Sequence, residues 1–271
     1  MNKRWLAAFA ALGFACMCGT ALAADDDPTS AAIDEYRQML ADGNPAELFE
    51  MDGEALWQEK RGPKNASLEQ CDLGQGPGKV EGAFVELPRY FEDTDKVQDL
   101  ESRLVTCMVE LQGIDRDEIV KDGVWGEGER ANVTALATWV ASASRGMKFN
   151  VPQEHKQERV MYEVGKRVFF QRGGQYDFSC ATCHGEDDIR IRLQDLPHLS
   201  DNPGDGVGIA AWPAYRVSSG EMWTMQHRLN DCYRQQRFPE PDFISDVTVA
   251  LGVFMGVKAE GAQSIASAIK R

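Results

Sequence analysis

The sequence predicts a mainly α-helical protein built as a tandem duplication, in which two small helical domains follow each other along the chain. Each half contains a helical segment in which an aromatic residue stands four positions after a glycine. These pairs are Gly53 with Trp57 and Gly165 with Phe169. A cysteine then follows each glycine at the same interval. Matches that recur in the same order are typical of an internal repeat.

The first 24 residues have the features of a secretory signal peptide. Lys3 and Arg4 precede an apolar stretch from residue 5 to residue 14, and the small residues 21–23 provide a cleavage site. No later apolar run approaches the ~20 residues that a membrane-spanning helix needs. We therefore assign residues 1–24 to a signal peptide and expect a periplasmic protein that is not inserted in the membrane.

The chain is strongly acidic, with a formal net charge of −14 over 271 residues. An acidic surface repels polyanions, so nucleic acid is excluded as a partner class. A small anionic substrate would need a local, focused basic pocket.

The second half, residues 151–271, contains the segment "CATCH" at positions 180–184. The pattern C-x-x-C-H is the attachment signature of c-type haem. Cys180 and Cys183 would form the thioethers and His184 would be an axial ligand of the iron. Helices are expected over residues 158–172 and 244–258. Gly165 in the first of them would permit the two helices to cross closely, as is typical of a cytochrome c domain.

The first half, residues 25–150, is interpreted as a degenerate cytochrome c-like copy without haem. In the repeat frame Cys71 occupies the second cysteine position of the motif. Leu68 stands at the first cysteine position and Asp72 at the histidine position. A linker around Pro152 separates the halves. The chain is therefore expected to bind one covalent haem c.

A further match within the repeat places the remaining cysteines. The segment "SRLVTC" (102–107) corresponds to "HRLNDC" (227–232), which makes Cys107 the equivalent of Cys232. Val133-Thr134 likewise resembles Val247-Thr248. Without a haem between them, Cys71 and Cys107 are expected to form a disulfide, since exported proteins retain paired cysteines. Cys232 is then the remaining thiol.

The distal side of the iron has several candidate ligands, namely His198, Met222, Met225, His227 and Cys232. Methionine is the ordinary choice in electron carriers and raises the reduction potential. The repeat favours Cys232, because the degenerate copy keeps a cysteine at the matching position. A thiolate ligand would lower the potential.

Arg228 lies one helical turn before Cys232, so both side chains are expected on one helix face. An arginine is most often a surface ion-pair partner. Beside a thiol it would also lower the thiol pKa and hold a sulfur oxyanion. Arg216, in "WPAYR" (212–216), is a second cation upstream of the same segment.

Four segments together resemble the SoxA family, the larger cytochrome subunits of the SoxAX complexes of bacterial thiosulfate oxidation. They are "SLEQCDLG" (67–74), "CATCHG" (180–185), "WPAYR" (212–216) and "QHRLNDCY" (226–233). The resemblance is to members with a single haem. It implies an L-cysteine S-thiosulfotransferase that joins thiosulfate to a cysteine of the carrier protein SoxYZ, in a heterodimer with the small cytochrome SoxX. It further implies that Cys232 is the haem-ligating active-site cysteine, Arg228 the active-site arginine and His184 the other axial ligand.

Two other function classes remain open on the residues alone. One is a non-enzymatic periplasmic electron-transfer cytochrome c with His/Met haem, which would have a high reduction potential. The other is a haem-thiolate sensor, although the chain has no segment resembling an output domain.

Overall fold

Helices dominate the part of the chain that the structure, a computed structural model, describes. It describes Glu35 and residues 43–121, 125–191, 194–201 and 207–270. The predicted signal peptide, residues 1–24, lies outside these residues. Every helix among the described residues is too short or too polar to cross a membrane. The mainly α-helical class predicted from the sequence is confirmed.

The first half contains four α-helices and one β-hairpin among its described residues. The helices are α1 (Ala46–Gln58), α2 (Leu100–Cys107), α3 (Arg116–Val120) and α4 (Gly128–Ser142). A π-helical turn, Met108–Gln112, continues α2, and a 3-10 turn spans Phe84–Glu86. The hairpin pairs β1 (Arg89–Phe91) antiparallel to β2 (Lys96–Gln98).

The second half contains five α-helices and five short strands among its described residues. Its helices are α5 (Lys156–Phe170), α6 (Cys180–His184), α7 (Val207–Ala210), α8 (Met225–Gln235) and α9 (Asp246–Lys258). Strands β3 (Arg190–Ile191) and β4 (Gln194–Asp195) form a small hairpin, while β5 (Ala214–Arg216), β6 (Glu221–Trp223) and β7 (Ala268–Lys270) form a sheet. In this sheet β5 lies in the middle, antiparallel to β6 and parallel to β7.

A glycine permits close helix crossing in each half, as predicted. A Cβ atom added at Gly53 of α1 would overlap the carbonyl of Ala135 in α4, and one added at Gly165 of α5 would overlap the carbonyl of Ala250 in α9. Because no larger residue fits, both helix pairs pack with their backbones in contact.

Aromatic contacts extend both crossings. The ring centroids of Trp57 and Trp139 are 5.4 Å apart, and those of Phe169 and Phe254 are 5.0 Å apart. In the contacts of the two glycines, Ala135 takes the position in the first half that Ala250 takes in the second, and the aromatic contacts agree with this pairing. The sequence match of Val133-Thr134 with Val247-Thr248 therefore differs by one residue from the pairing that these contacts indicate. Short apolar segments in helices permit such slips, since neighbouring alignments look alike.

Two further parallels follow the helices in order. An isolated antiparallel bridge joins residues 61 and 66 in the first half and residues 173 and 178 in the second. Each half then has an antiparallel hairpin whose strands have three residues each, β1–β2 in the first half and β5–β6 in the second. The helix that follows each hairpin is capped by a side chain. The N-cap residues are Asp99 for α2 and Thr224 for α8.

The hydrophobic cores of the two halves interlock. Phe243 of the second half packs in the first-half cluster around Leu104, and Val85 and Phe149 of the first half pack in the second-half cluster around Phe254. Residues 40–271 belong to one compact unit. The domain boundary near residue 150 stays a prediction, because the halves share apolar contacts across it.

Candidate functional site

The segment predicted to attach haem forms the short helix α6. The Ser179 hydroxyl accepts a hydrogen bond from the Thr182 amide at 3.2 Å, which caps the helix at its first turn. Helical spacing brings Cys180, Cys183 and His184 to one side, because residues three and four positions apart are neighbours on a helix. Neither cysteine takes part in a disulfide.

The His184 ring is fixed in a tautomer that suits a metal ligand. Its Nδ1 lies 2.8 Å from the carbonyl oxygen of Pro197. A carbonyl can only accept, so Nδ1 carries the proton and Nε2 keeps its lone pair. Burial lowers the pKa of His184, and the nearby Arg228 cation lowers it further. The imidazole is therefore neutral at pH 7.

Cys232 lies on α8. It is close enough to Cys180 and Cys183 for the charges of the three sulfurs to interact. Burial raises the pKa of Cys232, while the cations of Arg228 and Arg216 oppose this effect. The expected lowering of the pKa by Arg228 is thus present but smaller than the effect of burial.

Arg228 is both an ion-pair partner and a neighbour of the candidate ligands. Its Nη1 donates to Asp231 Oδ2 at 2.9 Å. Arg234 also pairs with Asp231, and the Gln235 amide donates to its carboxylate at 2.6 Å. Asp231 therefore anchors Arg228 while the guanidinium charge acts on both His184 and Cys232. Sequence reasoning missed Asp231, although its i,i+3 spacing from Arg228 was an available signal.

Arg216, at the end of β5, is a second cation beside Cys232. Its Nε is buried and has no hydrogen-bond partner among the described residues. Its guanidinium lies over the Trp223 ring at 5.2 Å from the ring centroid. Burial lowers the pKa of Arg216, and so does the proximity of Arg228. Two cations close to each other, one with an unsatisfied donor, make a site suited to an anion.

Three of the alternative distal ligands have other contacts. The two ring nitrogens of His198 lie 3.0 Å from Asp187 Oδ1 and from Ser200 Oγ. His227 is stacked on the Trp223 ring, and Met222 is buried in the β5–β6 hairpin.

Met225 differs from these three, because it packs in the apolar cluster that also includes Cys180. Cys232 and Met225 are therefore the two candidates that remain for the second axial ligand.

The donor set fits a haem c group. Cys180 and Cys183 supply two thiols at the attachment spacing, His184 supplies a free Nε2, and Cys232 supplies a third sulfur near them. When haem c is bound, these residues would hold the porphyrin by two thioethers and the iron by nitrogen and sulfur.

In the first half, the residues that the sequence match aligns with the haem motif have other contacts. Leu68, aligned with the first cysteine of the motif, is fully buried. The Asp72 carboxylate accepts from the amides of Gly74 and Gly76 at 2.7 and 2.9 Å. The structure joins Cys71 and Cys107, whose Cα atoms are 5.6 Å apart, in a disulfide.

Arg103, which the sequence match aligns with Arg228, also has partners in this region. Its Nη1 pairs with Asp93 at 2.8 Å, and its guanidinium lies over the Phe91 ring at 4.0 Å from the centroid. The described contacts of Arg103 are therefore structural.

Comparisons with known proteins agree with the resemblance seen in the motifs. A family model described as "SoxA/TsdA, cytochrome c domain" matches residues 52–149. The match falls in the half that lacks the haem motif. It supports a cytochrome c-like fold for that half.

Similar proteins match over most of the chain. The L-cysteine S-thiosulfotransferase subunit SoxA of Hydrogenophilus thermoluteolus is 53% identical over 251 residues, which are 92% of each chain. A SoxA subunit of Hydrogenobacter thermophilus is 35% identical over 218 residues, covering 80% of this chain and 78% of the relative.

A solved structure shows the same fold. The crystal structure of SoxXA from P. pantotrophus matches with a TM-score of 0.71 and 26% identity, covering 88% of this chain and 84% of that chain. The motifs, the fold and the length of the matches agree, and this chain belongs to the SoxA family of L-cysteine S-thiosulfotransferase subunits.

Proposed function

We propose that this protein is the catalytic subunit of a periplasmic L-cysteine S-thiosulfotransferase. It joins thiosulfate to a cysteine of a SoxYZ-type carrier protein. The observation that carries the proposal is the position of Cys232, which interacts electrostatically with the thiols of Cys180 and Cys183 and with the cations of Arg228 and Arg216. The family relation supports the same activity, since the relatives are L-cysteine S-thiosulfotransferase subunits.

The reaction is an oxidative coupling of two sulfur atoms. The S–H bond of the carrier cysteine breaks, and a new S–S bond forms to the outer sulfur of thiosulfate. One proton and two electrons leave, which gives a cysteine S-thiosulfonate. Haem c, when bound, supplies a one-electron acceptor beside the sulfur centre. The electrons then pass to a small cytochrome c partner.

The two arginines bind and orient the anion. Thiosulfate is a dianion, and the protein as a whole is acidic, so attraction depends on a local cation pair. Arg228 is held by Asp231 at 2.9 Å, which fixes its guanidinium near Cys232. The buried Nε–H of Arg216 has no hydrogen-bond acceptor among the described residues, and a sulfonate-type oxygen of the anion would accept from it. When haem c is bound, Cys232 would supply the sulfur ligand of the iron, and its sulfur is the proposed reactive centre.

The chain carries one haem c and arose by duplication. The helix crossings at Gly53 and Gly165, the hairpins and the capped helices in the same order support a common origin for the halves. The first copy lost its haem when Leu68 and Asp72 replaced the ligating residues. The disulfide between Cys71 and Cys107 occupies the region that the cofactor left.

The relatives indicate the partner of this chain, and the predicted signal peptide indicates its location. The matching crystal structure is a SoxXA complex, so a SoxX-type cytochrome is the partner of this chain in a heterodimer. The acidic composition disfavours nucleic acid as a partner. The predicted signal peptide, residues 1–24, directs the protein to the periplasm.

A reconstituted assay tests the function. The mature protein is purified with its small cytochrome partner and mixed with thiosulfate, the carrier protein and an oxidised cytochrome c acceptor. Mass spectrometry should find one thiosulfonate group per carrier, on the cysteine, with two equivalents of acceptor reduced. A carrier with that cysteine replaced by serine is the control. Acceptor reduction without conjugate would favour a simple electron carrier.

The haem count tests the cofactor proposal separately. A pyridine haemochrome assay and the intact mass of the chain should both give one covalent haem, attached through Cys180 and Cys183. Two haems per chain would contradict the loss of the first site.

A further inference from the structure

The N-termini of the equivalent helices α2 and α8 meet across the boundary between the halves. Asp99 caps α2 and Thr224 caps α8, and the residues two positions further on are Glu101 and Gln226. Glu101 belongs to the haem-free half. Gln226 lies on the helix that carries Arg228 and Cys232. A contact between them therefore links the first half to the candidate active-site helix.

Glu101 binds the first turn of α8. Its Oε2 accepts a hydrogen bond from the backbone amide of Gln226 at 3.3 Å, and its carboxyl group is also hydrogen-bonded to the Thr224 side chain. The first amides of a helix have no partner within the helix. Thr224 satisfies the His227 amide at 3.2 Å, and Glu101 satisfies the Gln226 amide. The start of α8 is thus capped by residues from both halves.

Gln226 makes the contact reciprocal. It is 1% exposed, and its Nε2 donates to Asp99 Oδ2 at 2.5 Å. Its Oε1 accepts from the Ile244 amide at 3.3 Å, just before α9. One buried side chain therefore connects the N-cap of α2, the first turn of α8 and the approach to α9. Such a network fixes position strongly, because each unmade hydrogen bond inside the protein costs free energy.

The carboxyl group of Glu101 is buried, and the Arg130 cation lowers its pKa by less than burial and Asp99 raise it. Burial and the neighbouring Asp99 raise the pKa of Glu101 well above its usual range. A neutral carboxyl group still accepts through its carbonyl oxygen. Replacement by glutamine, which is neutral and of nearly the same shape, should therefore preserve the contact with the Gln226 amide.

We propose that Glu101, acting through Gln226, is a positioning residue that sets where Arg228 and Cys232 stand relative to the haem motif. This inference rests on the proposed function, in which these two side chains form the reacting site. The haem-free half is then part of the catalytic apparatus, because it holds the active-site helix at its first turn. A misplacement of about 1 Å at a reacting site costs on the order of a hundredfold in rate.

The test compares three variants of the mature protein in complex with its small cytochrome partner. Glu101→Ala should lower kcat/KM for thiosulfate by roughly tenfold to a hundredfold, and it should change the absorption and EPR spectra of the haem. Glu101→Gln should restore wild-type kcat/KM and spectra.

The chain offers a matched control in Glu158, another buried glutamate that links the halves. Its carboxylate accepts from the amides of Tyr90 and His155, each at 2.9 Å, and caps α5 rather than α8. Glu158→Ala should destabilise the protein to a similar extent and leave the haem spectra and kcat/KM close to wild type.

Equal effects of Glu101→Ala and Glu158→Ala on kcat/KM, with unchanged haem spectra in both, would overturn the inference. If Glu101→Ala does not fold, Glu101→Asp provides the same comparison, because it keeps the carboxyl group but withdraws it by one methylene. An inactive wild-type complex would contradict the proposed function instead, so the two failures are distinguishable.

Discussion

Arg228 shows how one side chain can be structural and chemical at once. Its ion pair with Asp231 is only partly exposed, since the side chains are 23% and 7% accessible. Asp231 also receives Arg234 and Gln235, so it keeps two partners when Arg228 is removed. The fold around α8 therefore does not depend on Arg228, and replacing it isolates the function of its charge.

We expect Arg228→Ala to impair thiosulfate conjugation and to leave haem incorporation intact. Loss of a charge-assisted contact to the anion should cost about 1.5–3 kcal/mol, which corresponds to roughly a tenfold to more than a hundredfold loss in kcat/KM. Arg228→Lys should restore little activity, because lysine lacks the planar fork of donors. Steady-state kinetics with carrier and acceptor provide the measurement.

Arg234→Ala is the matched control for this prediction. Arg234 pairs with the same carboxylate from the same helix, but its side chain is 59% exposed. Its removal should change kcat/KM by less than about twofold, since an exposed ion pair contributes little. Unchanged turnover in Arg228→Ala would reduce Arg228 to a partner of Asp231.

The identity of the distal ligand is tested at Cys232. Cys232→Met should keep the covalent haem but raise its reduction potential by more than about 100 mV, because a thioether replaces an anionic sulfur. Thiosulfate conjugation should be abolished. Redox titration followed by absorption spectroscopy measures the first effect and the carrier assay the second.

Met225 provides the control, because it packs in the cluster that includes Cys180. Met225→Leu conserves volume and should leave the potential unchanged. A shifted spectrum in Met225→Leu, together with an unchanged one in Cys232→Met, would assign the iron to Met225.

At the scale of elements, the crossing of α5 and α9 makes a prediction about stability. Gly165→Ala should lower the free energy of unfolding by about 1–3 kcal/mol, since the added Cβ meets the backbone of Ala250 and both helices must shift. Denaturant unfolding measures this change.

Gly252→Ala, on α9, is the control for Gly165→Ala. A Cβ there would stand 3.4 Å from Pro88 Cγ, an ordinary contact. It should be neutral or stabilise the protein by up to about 1 kcal/mol, because alanine favours a helix. Equal effects of the two substitutions would contradict the close crossing.

The two helices that the sequence predicts with bounds are found to within two residues at each end, whereas the short elements are not predicted. The helix expected over residues 158–172 is found at Lys156–Phe170. Its start differs because His155 caps it, with Glu158 completing a capping box; histidine is not among the usual capping residues. The strands β1 to β7 have two or three residues each, which is too short for an alternating pattern to be read.

The same contrast holds at the candidate site. The spacing of Arg228 and Cys232 was readable, because both lie on one helix. The contact of Glu101 with Gln226 could not be predicted in this way, since it joins residues far apart in the sequence. A single sequence contains no local signal for such a contact. The burial that leaves Arg216 Nε without a partner is likewise a property of the folded chain.

At the scale of the whole molecule, the disulfide between Cys71 and Cys107 predicts a dependence of stability on redox conditions. It closes a loop with a sequence separation of 36, and loop-entropy models assign such a closure about 3–4 kcal/mol. Adding a thiol reductant should lower the free energy of unfolding of the wild type by that amount. Haem content should not change, because the thioethers are not reduced.

The double variant Cys71→Ala, Cys107→Ala controls for the reductant. Its stability should be the same with and without reductant. Peptide mapping of the non-reduced wild type should find the Cys71–Cys107 bridge. Free, alkylatable thiols at both positions in freshly isolated protein would refute the pairing and weaken the alignment of the two halves.

The interlocked cores limit how this protein can be recombined with its relatives. Val85 and Phe149 fill the cluster around Phe254, and Phe243 fills the cluster of the other half. A chimaera cut at residue 150 would match each half with side chains selected in a different protein. We expect such hybrids to fold only when each of these three residues comes from the same protein as the core that it completes.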